Sequence, residues 1–218
     1  ETVNSATYAL QRHKMSQNIE DTILALTTGS LHAATALIRI SGNGASKTAN
    51  ILGFKLQQQR LASVAILKDG QRKLDEALVI FFKGPRSYTG EDVMELHVHG
   101  GRAVIEAVID TLQKQGGFRI AEPGEFTKRA VLNGKMDLTK AEGINDLIQA
   151  ETEAQRVQSF AQVDGALSDI AFGWREKVIK IAAHVEAYID FPDEEIPEST
   201  LTGLGDEMNV LIRDIEKS

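Results

Sequence analysis

Near residue 133 the sequence changes its period once. Before that point short apolar runs with strand-like alternation are separated by glycine-rich turns and one helix-like stretch; after it, apolar residues recur only at spacings of three and four. Period two gives a strand with two faces, whereas a spacing of three and four gives a helix with one apolar stripe. The chain is therefore expected to fold as α+β: an N-terminal α/β domain on a mixed sheet, followed by an all-α helical domain that is incomplete.

In the first part, residues 22–26 (TILAL) and 36–40 (ALIRI) read as strands, the second closed by Gly42-Asn43-Gly44. A short helix is expected over 45–52. Runs 62–68 and 74–82 flank Asp69-Gly70, a pair that tolerates the positive φ of a tight hairpin turn. Residues 93–99 form a further strand. The helix predicted over 102–115 puts Val104, Ile105, Val108, Ile109 and Leu112 on one face and stops at Gly116-Gly117.

In the second part, Thr139-x-x-Glu142 has the pattern of a capping box ahead of the stripe Leu138, Ala141, Ile144, Leu147 and Ile148. One helix is predicted over 152–190, with Val157, Phe160, Leu167, Ala171, Trp174, Val178, Ile181 and Val185 along its seam and a single interruption at Asp164. At 1.5 Å per residue it would span roughly 55 Å, too long for the first domain to cover, so it calls for partner helices. Phe191-Pro192 is expected to stop it. Leu204, Met208, Leu211, Ile212 and Ile215 make a last stripe that runs to the end uncapped. The expected divisions are 1–14, a leader or appended stretch ahead of Met15 without the apolar run of a signal peptide; 15–132, the α/β domain; and 133–218, the helical domain.

Composition narrows the function classes. A net charge of −7 argues against a surface devoted to nucleic acid or anionic membrane, which needs clustered Lys and Arg. Cysteine is absent, which removes disulfides, thiolate metal sites and a Cys nucleophile, and suits a reducing compartment. No run of about 18 apolar residues is present to span a membrane. Neither GxxxxGK[ST], GxGxxG after a strand, GxSxG nor HExxH occurs.

Three features carry candidate chemistry. Alternation over 93–99 sends Met94, Leu96 and Val98 to one face and Glu95, His97 and His99 to the other. The polar face reads as a metal chelate, as the lining of a small-molecule pocket, or as a solvated sheet face with structural histidines. Arg39, inside an apolar strand, must leave the core or meet a carboxylate, on a ligand or on Glu95. The loop 83–92 (KGPRSYTGED) is either an anion cradle or a long ordered turn. Lys135, beside Gly134 at a helix-ending turn, also fits ordinary helix-dipole chemistry.

Six blocks taken together, LIRISG at 37–42, GPRSYTGEDV at 84–93, ELHVHGG at 95–101, PGEFTKRA at 123–130, NGKMDL at 133–138 and DFPDEE at 190–195, resemble the MnmE (TrmE) family in order and spacing. The resemblance implies a GTPase that modifies the wobble uridine of certain tRNAs with a flavin-dependent MnmG-type partner. It implies an N-terminal domain similar to the folate domains of the glycine-cleavage T-protein, which forms a homodimer and binds a tetrahydrofolate derivative (5-formyl or 5,10-methylene). The family's folate contacts fall on Arg39, Glu95 and Lys135, and no catalytic or metal residue is implied. GTP, Mg and K belong to a GTPase domain that this sequence lacks, as it lacks the second half of the helical domain and the family's C-terminal cysteine motif. Thr28-Gly29-Ser30-Leu31-His32 stands where the family has a Pro-Pro-Gly-rich turn. The expected setting is cytoplasmic, or mitochondrial in a eukaryote. Two other readings remain: a self-contained aminomethyl or methyl transferase of the T-protein type, and a non-catalytic dimerisation module.

Overall fold

The structure, a computed structural model, describes residues 21–29, 33–190 and 198–217. The leader 1–14, residues 30–32 of the departing turn, the Phe191-Pro192 stop and most of the 190–195 block lie outside the described residues. The chain divides into two compact units, one ending at Met136 and the other beginning at Asp137.

The first unit is a six-stranded mixed sheet: β1 (Thr22–Leu26), β2 (Ala33–Ser41), β3 (Ser63–Asp69), β4 (Arg72–Phe82), β5 (Val93–Gly100) and β6 (Phe118–Ile120), in the order β3-β4-β5-β2-β1-β6. All neighbours are antiparallel except β1 and β6. Alternation decides the two faces. Ile38, Ile40, Val79, Met94, Leu96 and Val98 lie on the buried face, under Ile105, Val108 and Leu112 of helix α2 (Arg102–Lys114). The opposite face carries Arg39, Glu95, His97 and His99, together with Val64, Ile66 and Leu78, which are 68%, 44% and 38% exposed.

A three-residue 3-10 turn (Ala45–Lys47) leads into the short helix α1 (Thr48–Ile51), in place of the single helix expected over 45–52; Ala45, Ala49 and Leu52 are buried all the same. At Gly100 an added Cβ would lie 2.1 Å from the Ala33 carbonyl oxygen, so the close approach of β2 requires glycine there. Strand β6 was not expected: three residues are too few to show a period, and it exists through parallel pairing with β1. Helix α3 (Glu125–Leu132) completes the unit and ends in the turn Asn133-Gly134-Lys135, where Gly134 has φ +66°.

The second unit contains α4 (Leu138–Gln149), α5 (Glu153–Val163), α6 (Ala166–Asp190) and α7 (Glu198–Glu216). The expected capping box at Thr139 and Glu142 is corrected: Asp137 is the N-cap of α4, accepting from the Lys140 backbone N–H at 2.7 Å, so Thr139 lies inside the helix. The reciprocal box forms instead at Thr152 and Gln155, opening α5. The single helix expected over 152–190 is likewise two helices, because Gly165 takes φ +95° directly after Asp164. Helices α4 and α5 meet closely at Gly143, where a Cβ would sit 2.8 Å from the Gln162 Cβ. The apolar cluster of this unit is small: Ile181, Leu204 and Leu211, with Trp174 against it. Among the described residues no helix is long and apolar enough to cross a membrane.

Candidate functional site

Arg39 and Glu95 are direct cross-strand partners in the β2–β5 ladder, on the sheet face that α2 does not cover. Their side chains meet there: Arg39 Nε donates to Glu95 Oε1 at 2.9 Å, and Nη2 lies 2.8 Å from the same oxygen. Both are partly exposed, at 22% and 15% of the side chain. A guanidinium inside an apolar strand thus finds the carboxylate its neighbour offers, and the ladder register makes the meeting automatic. Both contacts fall on Oε1, and Glu95 Oε2 accepts no hydrogen bond among the described residues; its neighbour is His97 Nε2 at 3.9 Å. That imidazole nitrogen is buried without a partner.

Two aromatic rings bracket the Arg39 guanidinium. Tyr88, from the loop 83–92, has its ring centre 5.2 Å from Cζ, and Phe126, from α3, lies at 5.8 Å. Tyr88 Oη and Thr127 Oγ1 share a hydrogen bond at 2.9 Å, joining loop to helix. The result is a partly exposed ion pair with two aromatic rings against its guanidinium and one carboxylate oxygen free to accept a hydrogen bond.

Lys135 is exposed and attached to the same loop at its other end, its Nζ donating to the Pro85 carbonyl oxygen at 2.9 Å. Gly90, at φ +82°, makes room for this turn: a Cβ there would lie 3.0 Å from Asn133 Cβ and 3.3 Å from the Lys135 side chain. The structure therefore brings Arg39 and Glu95 together and holds Lys135 against the loop that carries Tyr88.

The loop 83–92 is ordered by its own contacts. Its hydroxyls point inward, Ser87 to the Glu91 carbonyl at 2.5 Å and Thr89 to Ser41 Oγ at 2.6 Å, and Lys83 pairs with Asp92 at 2.9 Å. The histidines also separate. His99 gives its backbone N–H to Asp75 Oδ2 at 2.8 Å and shares its Nδ1 with Oδ1 at 2.7 Å. Burial alone would raise the Asp75 carboxyl, but these hydrogen bonds outweigh it and hold it below its ordinary value. Among the described residues no three His, Asp or Glu side chains are arranged to hold a metal.

A further group was not singled out from the sequence. Arg129, 2% exposed, donates to the Asp21 carbonyl oxygen at 3.0 Å, to Asp21 Oδ1 at 2.5 Å, to Glu125 Oε1 at 3.0 Å, and to Glu91 at 3.2 and 3.3 Å. Arg119 binds both oxygens of Glu125, at 2.8 and 2.5 Å, and also pairs with Asp21. Burial alone would raise the Glu125 carboxyl, yet the Arg119, Glu122 N–H and Arg129 hydrogen bonds bring it down to about 2. Asp21 is lowered in the same way, burial being overcome by Arg119 and Arg129. The sequence signal was the i, i+4 spacing of Glu125 and Arg129, a pattern far more often found on a solvated helix face.

Residues 22–135 match the family model described as GTP-binding protein TrmE N-terminus, and residues 138–218 match that of the MnmE helical domain. The chain is 48% identical over 204 residues to a tRNA modification GTPase MnmE of Caulobacter vibrioides, covering 90% of this chain and 46% of the relative. It is 48% identical over 196 residues to the protein of that name from Ruegeria pomeroyi, with 89% and 45% covered. For the one from Anaplasma marginale the identity is 47% over 199 residues, with 90% and 44% covered. The chain thus spans somewhat less than half the length of these relatives.

Proposed function

The chain belongs to the MnmE (TrmE) family of tRNA modification GTPases, and from that premise we propose that it is the one-carbon-carrier and pairing portion of such a protein, binding a tetrahydrofolate derivative in the 5-formyl or 5,10-methylene form. One observation carries the reading: the Arg39–Glu95 pair on the uncovered sheet face, bracketed by Tyr88 and Phe126. A pteridine is flat, aromatic and edged by an aminopyrimidine, so it can lie along aromatic walls and donate to a carboxylate. Glu95 Oε2 is the acceptor with capacity left for that edge, held in place by Arg39 on Oε1, while Lys135, exposed and hydrogen-bonded to the same loop, is a cation for a carboxylate tail. The residues present therefore fit the group. When bound, the folate would supply the one-carbon unit; this chain's own side chains bind and orient it.

Pairing of two copies is supported by the apolar patch Val64, Ile66 and Leu78 on the same sheet face. The exposed stripes of α4–α7 suit further helices of a bundle. GTP hydrolysis with its Mg and K, tRNA and an MnmG-type flavin partner belong, in this reading, to the whole cytoplasmic or mitochondrial protein.

The test is calorimetric titration of 5-formyltetrahydrofolate into the 218-residue chain, beside Arg39→Ala and Glu95→Ala. Saturable binding that is lost in both variants is expected. Binding that survives both would remove the site from this sheet face, and turnover of a one-carbon donor by the chain alone would favour the T-protein-type transferase. Sedimentation velocity, with Val64→Lys as the disrupting variant, tests the pairing.

A further inference from the structure

We propose that Arg129 is a positioning residue for the site at Arg39, and that its buried ion pair with Glu91 locks together the two segments whose rings bracket that guanidinium. The ligand consequence rests on the folate reading above; the lock itself does not.

Tyr88 and Phe126 come from different parts of the chain, and neither segment is fastened by a large apolar core of its own. The loop 83–92 is tied to its surroundings by polar contacts: Ser41 Oγ to Glu91 Oε2 at 2.7 Å, Ser41 to the fully buried Thr89 at 2.6 Å, and Asn133 Nδ2 to the Thr89 carbonyl at 2.7 Å. Glu91 is the loop's buried charge, its side chain 10% exposed. In α3, Phe126 directly follows Glu125, whose carboxylate is tied by Arg119, by the Glu122 N–H at 2.9 Å and by Arg129.

Among the described residues Arg129 is the side chain that contacts both carboxylates, Glu91 on the loop and Glu125 on the helix. Its planar fork reaches three partners from three separate nitrogens, a spread that the single ammonium of a lysine does not reproduce. Three carboxylates (Asp21, Glu91 and Glu125) face two guanidiniums (Arg119 and Arg129), so no cation is spare; without Arg129, Arg119 still pairs with Glu125 and Asp21, but Glu91 loses its cation and the loop its ionic tie to the helix. Tyr88 sits three residues before Glu91, and Phe126 three before Arg129. A shift of the Glu91–Arg129 contact therefore moves both rings relative to Arg39.

The experiment has a ligand-free arm and a ligand arm on the same chain. In the first, the Arg39 Nε–H resonance, assigned through Arg39→Lys, is followed by nitrogen-15 NMR. Two rings facing the guanidinium should displace it from the free-arginine position, and Glu91→Gln should return it most of the way. Arg129→Lys, which keeps the charge and loses the fork, should do the same and serves if Glu91→Gln fails to fold. In the second arm, Glu91→Gln should weaken 5-formyltetrahydrofolate about tenfold, and adding it to Tyr88→Ala should bring little further loss, because coupled residues are not additive. An unchanged Arg39 resonance in a folded Glu91→Gln or Arg129→Lys chain overturns the lock. Fully additive losses overturn its role in binding. If the unaltered chain does not bind this folate, the folate reading fails, while the resonance still decides the lock.

Discussion

The two units use similar apolar side chains and reach opposite ends. In the α/β unit Ile38, Ile40, Met94, Leu96, Val108 and Leu112 are completely buried, whereas in the helical unit Ile148, Phe172, Val178 and Ile189 are 79%, 57%, 50% and 68% exposed. A sheet that curves under one helix closes its buried face locally, because alternation puts every second residue of every strand into one layer. A helix buries one stripe and needs neighbours on both sides of it, so four helices cover little of one another unless a bundle is complete. Stability in the first unit should therefore respond to single core residues and buried charges, and the second should respond mainly to what contacts it.

Among the largest effects expected is that of Arg129→Ala. It leaves the nearly buried Glu91 without a cation and Asp21 and Glu125 with Arg119 alone, which should cost about 3 kcal/mol in urea unfolding of the α/β unit. A cost below about 1 kcal/mol would show that these carboxylates are solvated. Next, Leu96→Ala should destabilise by about 3 kcal/mol, while Leu211→Ala, in the small cluster of the helical unit, should cost about half as much. Equal costs would break the contrast between the units.

Acid should act on the first unit selectively. Glu125 is held at about 2 in the folded chain, against an ordinary value of 4.5. A carboxyl depressed on folding stabilises above its unfolded value, so its contribution is complete above about pH 4.5 and disappears as the pH falls toward 2. The stability involved is at most about 3 kcal/mol, and Glu125→Gln should flatten the acid limb of a pH melt monitored on the sheet. In the helical unit the lowered carboxyl of Asp137, held by the Lys140 N–H and Ser168, is exposed and adds little to that limb.

Gly143→Ala should cost about 1–3 kcal/mol through the crowded contact with Gln162 and Val163, read as a lower melting temperature of the helical signal. Ile148→Ser should change stability by less than about 0.5 kcal/mol, as expected for a residue that is 79% exposed. A loss of more than about 1 kcal/mol there would mean that the stripe is already covered in solution, by a second copy of this chain.

Local pattern, read without any structure, determined the strands at 22–26 and 93–99, the stripe of α2 with its Gly116-Gly117 stop, the change to an all-helical part, and which face of β5 carries Glu95. These are consequences of period and turn chemistry, which act over a few residues. The tertiary structure decided the rest. Arg39 meets Glu95 because two strands 56 residues apart pair in that register; β6 exists because β1 offers it an edge; and the 152–190 stripe is interrupted because one glycine adopts φ +95°. Arg129 is the clearest case: in sequence it is an i+4 partner of Glu125 like many on exposed helices, and only the arrival of Asp21 and Glu91 from distant segments makes it a buried centre. Period reports which side of an element is apolar, but the partners of a buried charge are set by long-range assembly, which no local pattern records.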